Sequence, residues 1–255
     1  VFCLIIILPF IGIFSKLNFD FYSLLVFINN TYILKIIYFT FYQAFFSAVL
    51  SCLIAIPFAL ALNRHKNLKI IRYLVSICGF SFVIPSILIV YAVIKLFGIN
   101  GFYNNYFNFY ELFGINSVYG LKAILIAHIL LNAPFATRLF FQNLDNIPNK
   151  YYEISSSLNL TFFGNIIKLE IPIIKQNLFS VFSIIFSLCF LSFAIVMVLG
   201  GSPLNSTIEV AIYQFALFEL NFNKAIFLSF IQIFICSTFI FIGFNKMKGS
   251  KYFEI

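Results

Sequence analysis

The chain alternates long apolar runs with short polar connections. Six apolar segments stand out, at about Val1–Phe14, Phe39–Leu62, Ile70–Phe97, Gly120–Phe141, Asn177–Leu199 and Ala225–Phe244. All but the first reach the roughly 20 residues that a helix needs to cross hydrocarbon. They show no period-two alternation and are far longer than barrel strands, so the pattern predicts membrane-spanning helices. The first run is short and begins at Val1, which suggests a clipped first helix. Pro57, Pro85 and Pro134 fall within predicted spans, where neighbouring groups can re-satisfy the freed backbone carbonyl.

Composition supports this reading. Of 255 residues, 62% are hydrophobic and only 9% charged, against roughly half and a quarter in soluble domains. A chain this short cannot bury so much apolar surface inside itself. The net charge of +8 is spread through short loops, without the basic-aromatic platform that nucleic acid requires. The five cysteines are far apart in apolar stretches, so no zinc or disulfide framework follows.

The basic residues orient the chain. Arg64, Lys66, Lys69, Arg72, Arg138, Lys150, Lys168, Lys175, Lys246, Lys248 and Lys251 fall on one side, and Lys16, Lys35, Lys95, Lys122 and Lys224 on the other. The positive-inside bias places the second and fourth connections and both termini in the cytoplasm.

The fourth connection, 143–175, carries the most information. Asn149 is a candidate N-cap, and Tyr151, Ile154 and Leu158 share one helical face. Asn159 suits the left-handed residue that ends a helix, and Thr161 suits the cap of a second one. An acid such as Glu153 costs roughly 2.5–3.5 kcal/mol at the bilayer centre. The expected arrangement is therefore helix, turn, helix at the cytoplasmic surface, with Pro172 closing the second helix or opening the next span. A plain interfacial amphipathic helix is the simpler alternative.

This segment resembles the EAA loop of binding-protein-dependent ABC permeases: Glu-Ala-Ala, three residues, Gly, nine residues, then Ile-x-Leu-Pro. Glu153 stands at the acid, Ile154 and Ser155 replace the alanines, Asn159 replaces the glycine, and Leu169, Ile171 and Pro172 complete the pattern. The stretches Phe41–Arg64, Gly120–Pro148 and Leu199–Gln214 are similar to the N-terminal half of thiamine-transport permeases. Iron(III) and polyamine permeases share much of this likeness. The resemblance implies an all-α transmembrane fold, a six-helix importer permease bundle with a cytoplasmic EAA coupling helix, in the inner membrane. It also implies that 1–255 is a single permease domain, one half of a chain that usually carries two.

The implied partners are cytoplasmic ABC ATPase subunits, a periplasmic substrate-binding protein, a second permease half or second copy, and the lipid bilayer. The chain has no phosphate-binding Gly-x-x-x-x-Gly-Lys-Ser/Thr loop, so ATP use is expected in the ATPase partner, with no cofactor bound here. The resemblance assigns coupling to Tyr151, Glu153, Ile154, Ser155, Leu158, Asn159, Leu169 and Pro172, and Glu153 is expected to help fix the lever by a polar contact to the ATPase or across the turn.

His128 and Asn132 lie four apart on one face of the fourth span, where they can line a pathway or bond a neighbouring helix. Gly200, Gly201, Glu209 and Gln214 fall in an expected outer loop that can meet the binding protein or simply connect two spans. A secondary transporter or channel without an ATPase is the alternative of another class. It predicts helices broken at mid-membrane or acids inside spans. A membrane-embedded enzyme would need a polar dyad or acid pair that the two histidines and scattered acids do not form.

Overall fold

The computed structural model describes Gly12, Phe27 and residues 29–107, 119–201 and 205–248. The described helices, in chain order, are α1 (Thr31–Arg64), α2 (Lys69–Phe80), α3 (Ser86–Phe97), α4 (Phe102–Phe107), α5 (Leu121–Asp145) and α6 (Asn149–Ser157). They continue with α7 (Phe162–Asn165), α8 (Ile171–Phe190), α9 (Ala194–Leu199), α10 (Ile208–Tyr213) and α11 (Phe222–Lys248). Five helical stretches among the described residues are long and apolar enough to cross a membrane: Thr31–Arg64, Ser86–Phe107, Leu121–Asp145, Phe162–Phe190 and Phe222–Asn245. The expected first span, at 1–14, lies outside the described residues apart from Gly12.

The bundle is organised around α1, which runs along α5 and also packs on α8. Small residues make the approach close. Ala44, Ala48, Cys52, Ala55 and Ala59 form a buried stripe on α1, met by Ala136, Phe140 and Leu144 of α5. In lipid, small side chains at helix contacts gain dispersion energy by bringing backbones together. An aromatic cluster closes the other side: Phe186 of α8 stacks on Phe239 of α11 at 4.3 Å, and Phe41 meets Phe190 edge-on at 5.3 Å.

The structure corrects four sequence expectations. The expected span Ile70–Phe97 is broken between α2 and α3. Pro85 has no N–H and disfavours helical geometry at Ile84, so it becomes the extended N-cap of α3 (φ −56°, ψ 128°). The expected span Asn177–Leu199 is likewise broken at Leu191–Phe193. There the Cys189 carbonyl accepts a bond from the Gln43 side chain at 3.0 Å, so the interrupted helix end keeps a partner.

The third correction concerns 162–190. The second surface helix and the fifth span are one continuous helix, joined through a π-turn at Ile166–Glu170. Pro172 sits in the first turn of α8, where its missing N–H follows directly on the wider turn. The fourth concerns the expected outer loop 200–214. From Ile208 the chain is helical, and Ile208, Ala211 and Phe215 share one buried face. Their spacing of three and four residues was the available helical signal.

Candidate functional site

Two regions gather the sequence-predicted site residues. The first is the polar face around α6. Pro148, rather than Asn149, is its N-cap, and Asn149 opens the helix. The helix ends at Leu158, and Asn159 follows with φ 51°, inside the left-handed region. Thr161 then caps the next helix by accepting from the Gly164 N–H at 3.2 Å. Asn tolerates this conformation better than other side chains, which explains how the turn forms without glycine.

The face of α6 that packs on its own chain is not the Tyr151, Ile154, Leu158 face as a whole. Ser155 is buried, and Tyr151 and Tyr152 are half-buried against the main core, whereas Ile154 is 53% and Leu158 68% exposed. Glu153 is exposed and makes no ion pair among the described residues. Its backbone carbonyl accepts from the hydroxyls of Ser156 and Ser157. Leu169 is half-buried in the π-turn and Pro172 is exposed.

Sequence reasoning missed the residue that anchors this region. Glu170, at the end of the π-turn, is 1% exposed. Its carboxylate pairs with Arg64 Nη2 at 3.1 Å and accepts from Asn63 Nδ2 at 3.3 Å and from the Tyr152 hydroxyl at 3.4 Å. Asn63 Nδ2 also donates to the Tyr152 oxygen at 3.1 Å. Burial pushes the Tyr152 hydroxyl above its ordinary pKa, and the neighbouring Glu170 charge adds to this. Arg64 also lies over the Phe162 ring, 3.9 Å from its centroid. One carboxylate thus ties the end of α1, the start of the long α7–α8 helix and the inner side of α6. Beside it opens a cleft of about 500 Å³, with Lys66, Glu153 and Ser156 on its walls.

The second region lies inside the helix bundle. Thr40, Gln43, Ser47 and Ser51 form a fully buried polar stripe on α1. His128 Nδ1 and Ser47 Oγ are 2.8 Å apart, and Asn132 Nδ2 donates to Cys189 Sγ at 3.2 Å. His128 and Asn132 also line a cavity of about 350 Å³. Its other walls come from both helix breaks: Ser81, Phe82 and Ser86 on one side, Leu191, Ser192 and Phe193 on the other. His128 Nε2 is buried without a hydrogen-bond partner among the described residues.

The remaining predicted residues are not part of either region. Gly201 takes φ +66°, and the Gly200 carbonyl accepts from Asn205 Nδ2 at 2.7 Å. Glu209 is half-buried and accepts from Gln232 Nε2 of α11, so it is not a free loop acid. Gln214 opens the π-turn that follows α10.

No family model matches the chain. Over 208 residues it is 35% identical to the thiamine transport system permease protein ThiP of Haemophilus influenzae, covering 82% of this chain and 38% of that protein. Over 211 residues it is 33% identical to the protein of the same name from Escherichia coli K12, covering 82% and 39%. The chain spans about two fifths of the length of these curated relatives. Its fold matches a chain of the bacterial alginate ABC transporter, crystallised with an alginate pentasaccharide-bound periplasmic protein. The TM-score is 0.70 at 16% identity, covering 92% of this chain and 85% of that one.

Proposed function

We propose, on the premise that this chain belongs to the membrane permeases of ABC importers, that it is one transmembrane half of an ATP-driven importer for thiamine. The observation that carries the importer reading is the form of α6. It is fixed on its inner side through Tyr152 and Ser155, while Ile154 and Leu158 stand exposed on its other side. A short helix with apolar anchors and an adjacent polar cleft suits docking into a groove on a soluble partner. That partner is a cytoplasmic ATPase subunit, which supplies the ATP. The solute follows the names of the relatives.

In this reading α6 faces the cytoplasm, as do both termini, and a periplasmic binding protein delivers the solute to the opposite face. A second half or second copy completes the pathway. Closure of the ATPase pair pushes α6, and the Glu170 junction passes the movement to α1 and to the continuous helix 162–190. Rigid-body rocking needs such a stiff joint. The helix breaks alone also suit a secondary transporter, but the exposed α6 and the fold likeness favour a separate motor.

The test is uptake of radiolabelled thiamine by cells lacking their own thiamine importers and supplied with this chain, a partner ABC ATPase and a periplasmic thiamine-binding protein. Accumulation that requires all three and stops when the ATPase is inactivated is the expected result. Accumulation that persists without the ATPase would refute the importer mechanism, and no accumulation would refute the solute.

A further inference from the structure

The walls of the intramembrane cavity define a ligand chemistry. The described lining residues include no carboxylate and no Lys or Arg. A bare metal ion or a polyamine would find no opposite charge there, and stripping such charges of water without a partner is costly. The walls instead offer three phenylalanines, Phe82, Phe135 and Phe193, interleaved with neutral hydrogen-bonding groups on Ser81, Ser86, His128, Asn132 and Ser192. Phe82 and Phe135 already face one another across a 5.6 Å centroid distance with an interplanar angle of 31°. Aromatic faces attract flat rings and organic cations. Among the described residues, His128 supplies a buried ring nitrogen with no partner, and Asn132 an amide whose NH2 meets a weak sulfur acceptor.

We propose that this cavity is a binding subsite on the transport path for a flat heteroaromatic ring carrying its own hydrogen-bonding groups. Phe82, Phe135 and Phe193 stack against the ring, and His128 and Asn132 read its edge. The subsite lies where α2–α3 and α8–α9 are both interrupted, so the backbone can rearrange there to pass the ring on. The assignment rests on the importer reading and explains how such a permease would favour a ringed solute over a metal ion or a polyamine.

The test uses the assembled importer with thiamine and with its analogue bearing a hydroxyl in place of the pyrimidine amino group. Asn132→Leu is expected to cut thiamine uptake about tenfold, the scale of one buried hydrogen bond, and to narrow the preference between the two compounds. Phe135→Ala is expected to lose uptake, and Phe135→Tyr to retain it. Leu130→Ala, on the exposed side of the same helix, is expected to transport normally. In a Ser86→Cys variant, thiamine is expected to slow modification by a small maleimide. Wild-type rate and preference in Asn132→Leu and Phe135→Ala overturn the subsite, as does a reduced rate with unchanged preference, or an absence of protection at residue 86. A wild-type importer that moves no thiamine overturns the solute assignment instead, so the two failures are distinguishable.

Discussion

Arg64 and Glu170 are 106 positions apart in sequence and are joined by a 3.1 Å ion pair. The acid is fully buried, whereas the Arg64 side chain is 20% exposed. The pair holds the end of α1 against the π-turn, with Asn63 and Tyr152 satisfying the second carboxylate oxygen. Removing one partner of a buried pair leaves the other uncompensated. Glu170→Ala is expected to lose about 1–3 kcal/mol of stability, measured as a lower midpoint of thermal unfolding in detergent. The double variant Arg64→Met, Glu170→Leu is expected to recover part of that loss. If the double variant loses as much as Arg64→Met and Glu170→Leu lose when added together, the residues are not energetically coupled.

Glu153 differs from Glu170 in that its carboxylate is exposed and unpaired among the described residues. Glu153→Ala and Glu153→Lys are expected to change stability by less than about 0.5 kcal/mol while separating ATP hydrolysis from uptake. Parallel measurement of phosphate release and solute accumulation checks this. Unchanged accumulation in both variants would remove Glu153 from the coupling step.

The outward residues of α6 make a separate prediction. Ile154→Asp and Leu158→Asp place a charge on the exposed anchors, so the folded permease should survive. Co-purification of the ATPase with the permease should fall at least tenfold, the effect of losing about 1.4 kcal/mol of binding. Retained co-purification would place the docking surface elsewhere.

The long helices and the short helix α6 were legible because hydrophobic length and turn residues act locally. Asn159 is an example: its turn was readable from residue type and spacing, and its φ of 51° agrees. The break at 191–193 was not readable, because its run carries no proline or glycine and the group that bonds the Cys189 carbonyl sits on Gln43, 146 positions away. The Glu170 junction was hidden for the same reason. Nothing in the local pattern singles out Glu170, and only the tertiary approach of Asn63, Arg64 and Tyr152 makes its burial tolerable. The cavity likewise depends on bringing two distant helix breaks to one side of α5.

Asn159 yields a conformational prediction. Asn159→Gly relieves the left-handed strain but frees the unfolded chain, so its effect on stability should be within about 1 kcal/mol. Asn159→Val places a β-branched residue at positive φ and is expected to cost about 1–2 kcal/mol. Thermal unfolding of the three proteins checks the order. If Val and Asn were equivalent, the turn would not hold the left-handed geometry in solution.

Gln43 tests whether the fifth-span break is stabilised by its neighbour. Its Nε2 donates to the Cys189 carbonyl at 3.0 Å, where the α8 helix is about to end. The peptide N–H groups of Leu191 and Ser192 also reach this carbonyl, Ser192 at 3.4 Å, so the side chain is a closer donor than the Ser192 amide. Gln43→Leu keeps similar volume and removes that donor. Interhelical hydrogen bonds measured in membranes are worth about 0.6 kcal/mol on average and up to about 1.7, and the loss should fall in that range. Because the break adjoins the cavity, the same variant should also increase hydrogen exchange at Leu191 and Ser192 relative to the rest of α8. Unchanged exchange at both amides would mean that the break is held by the backbone alone and that Gln43 is only packed against it.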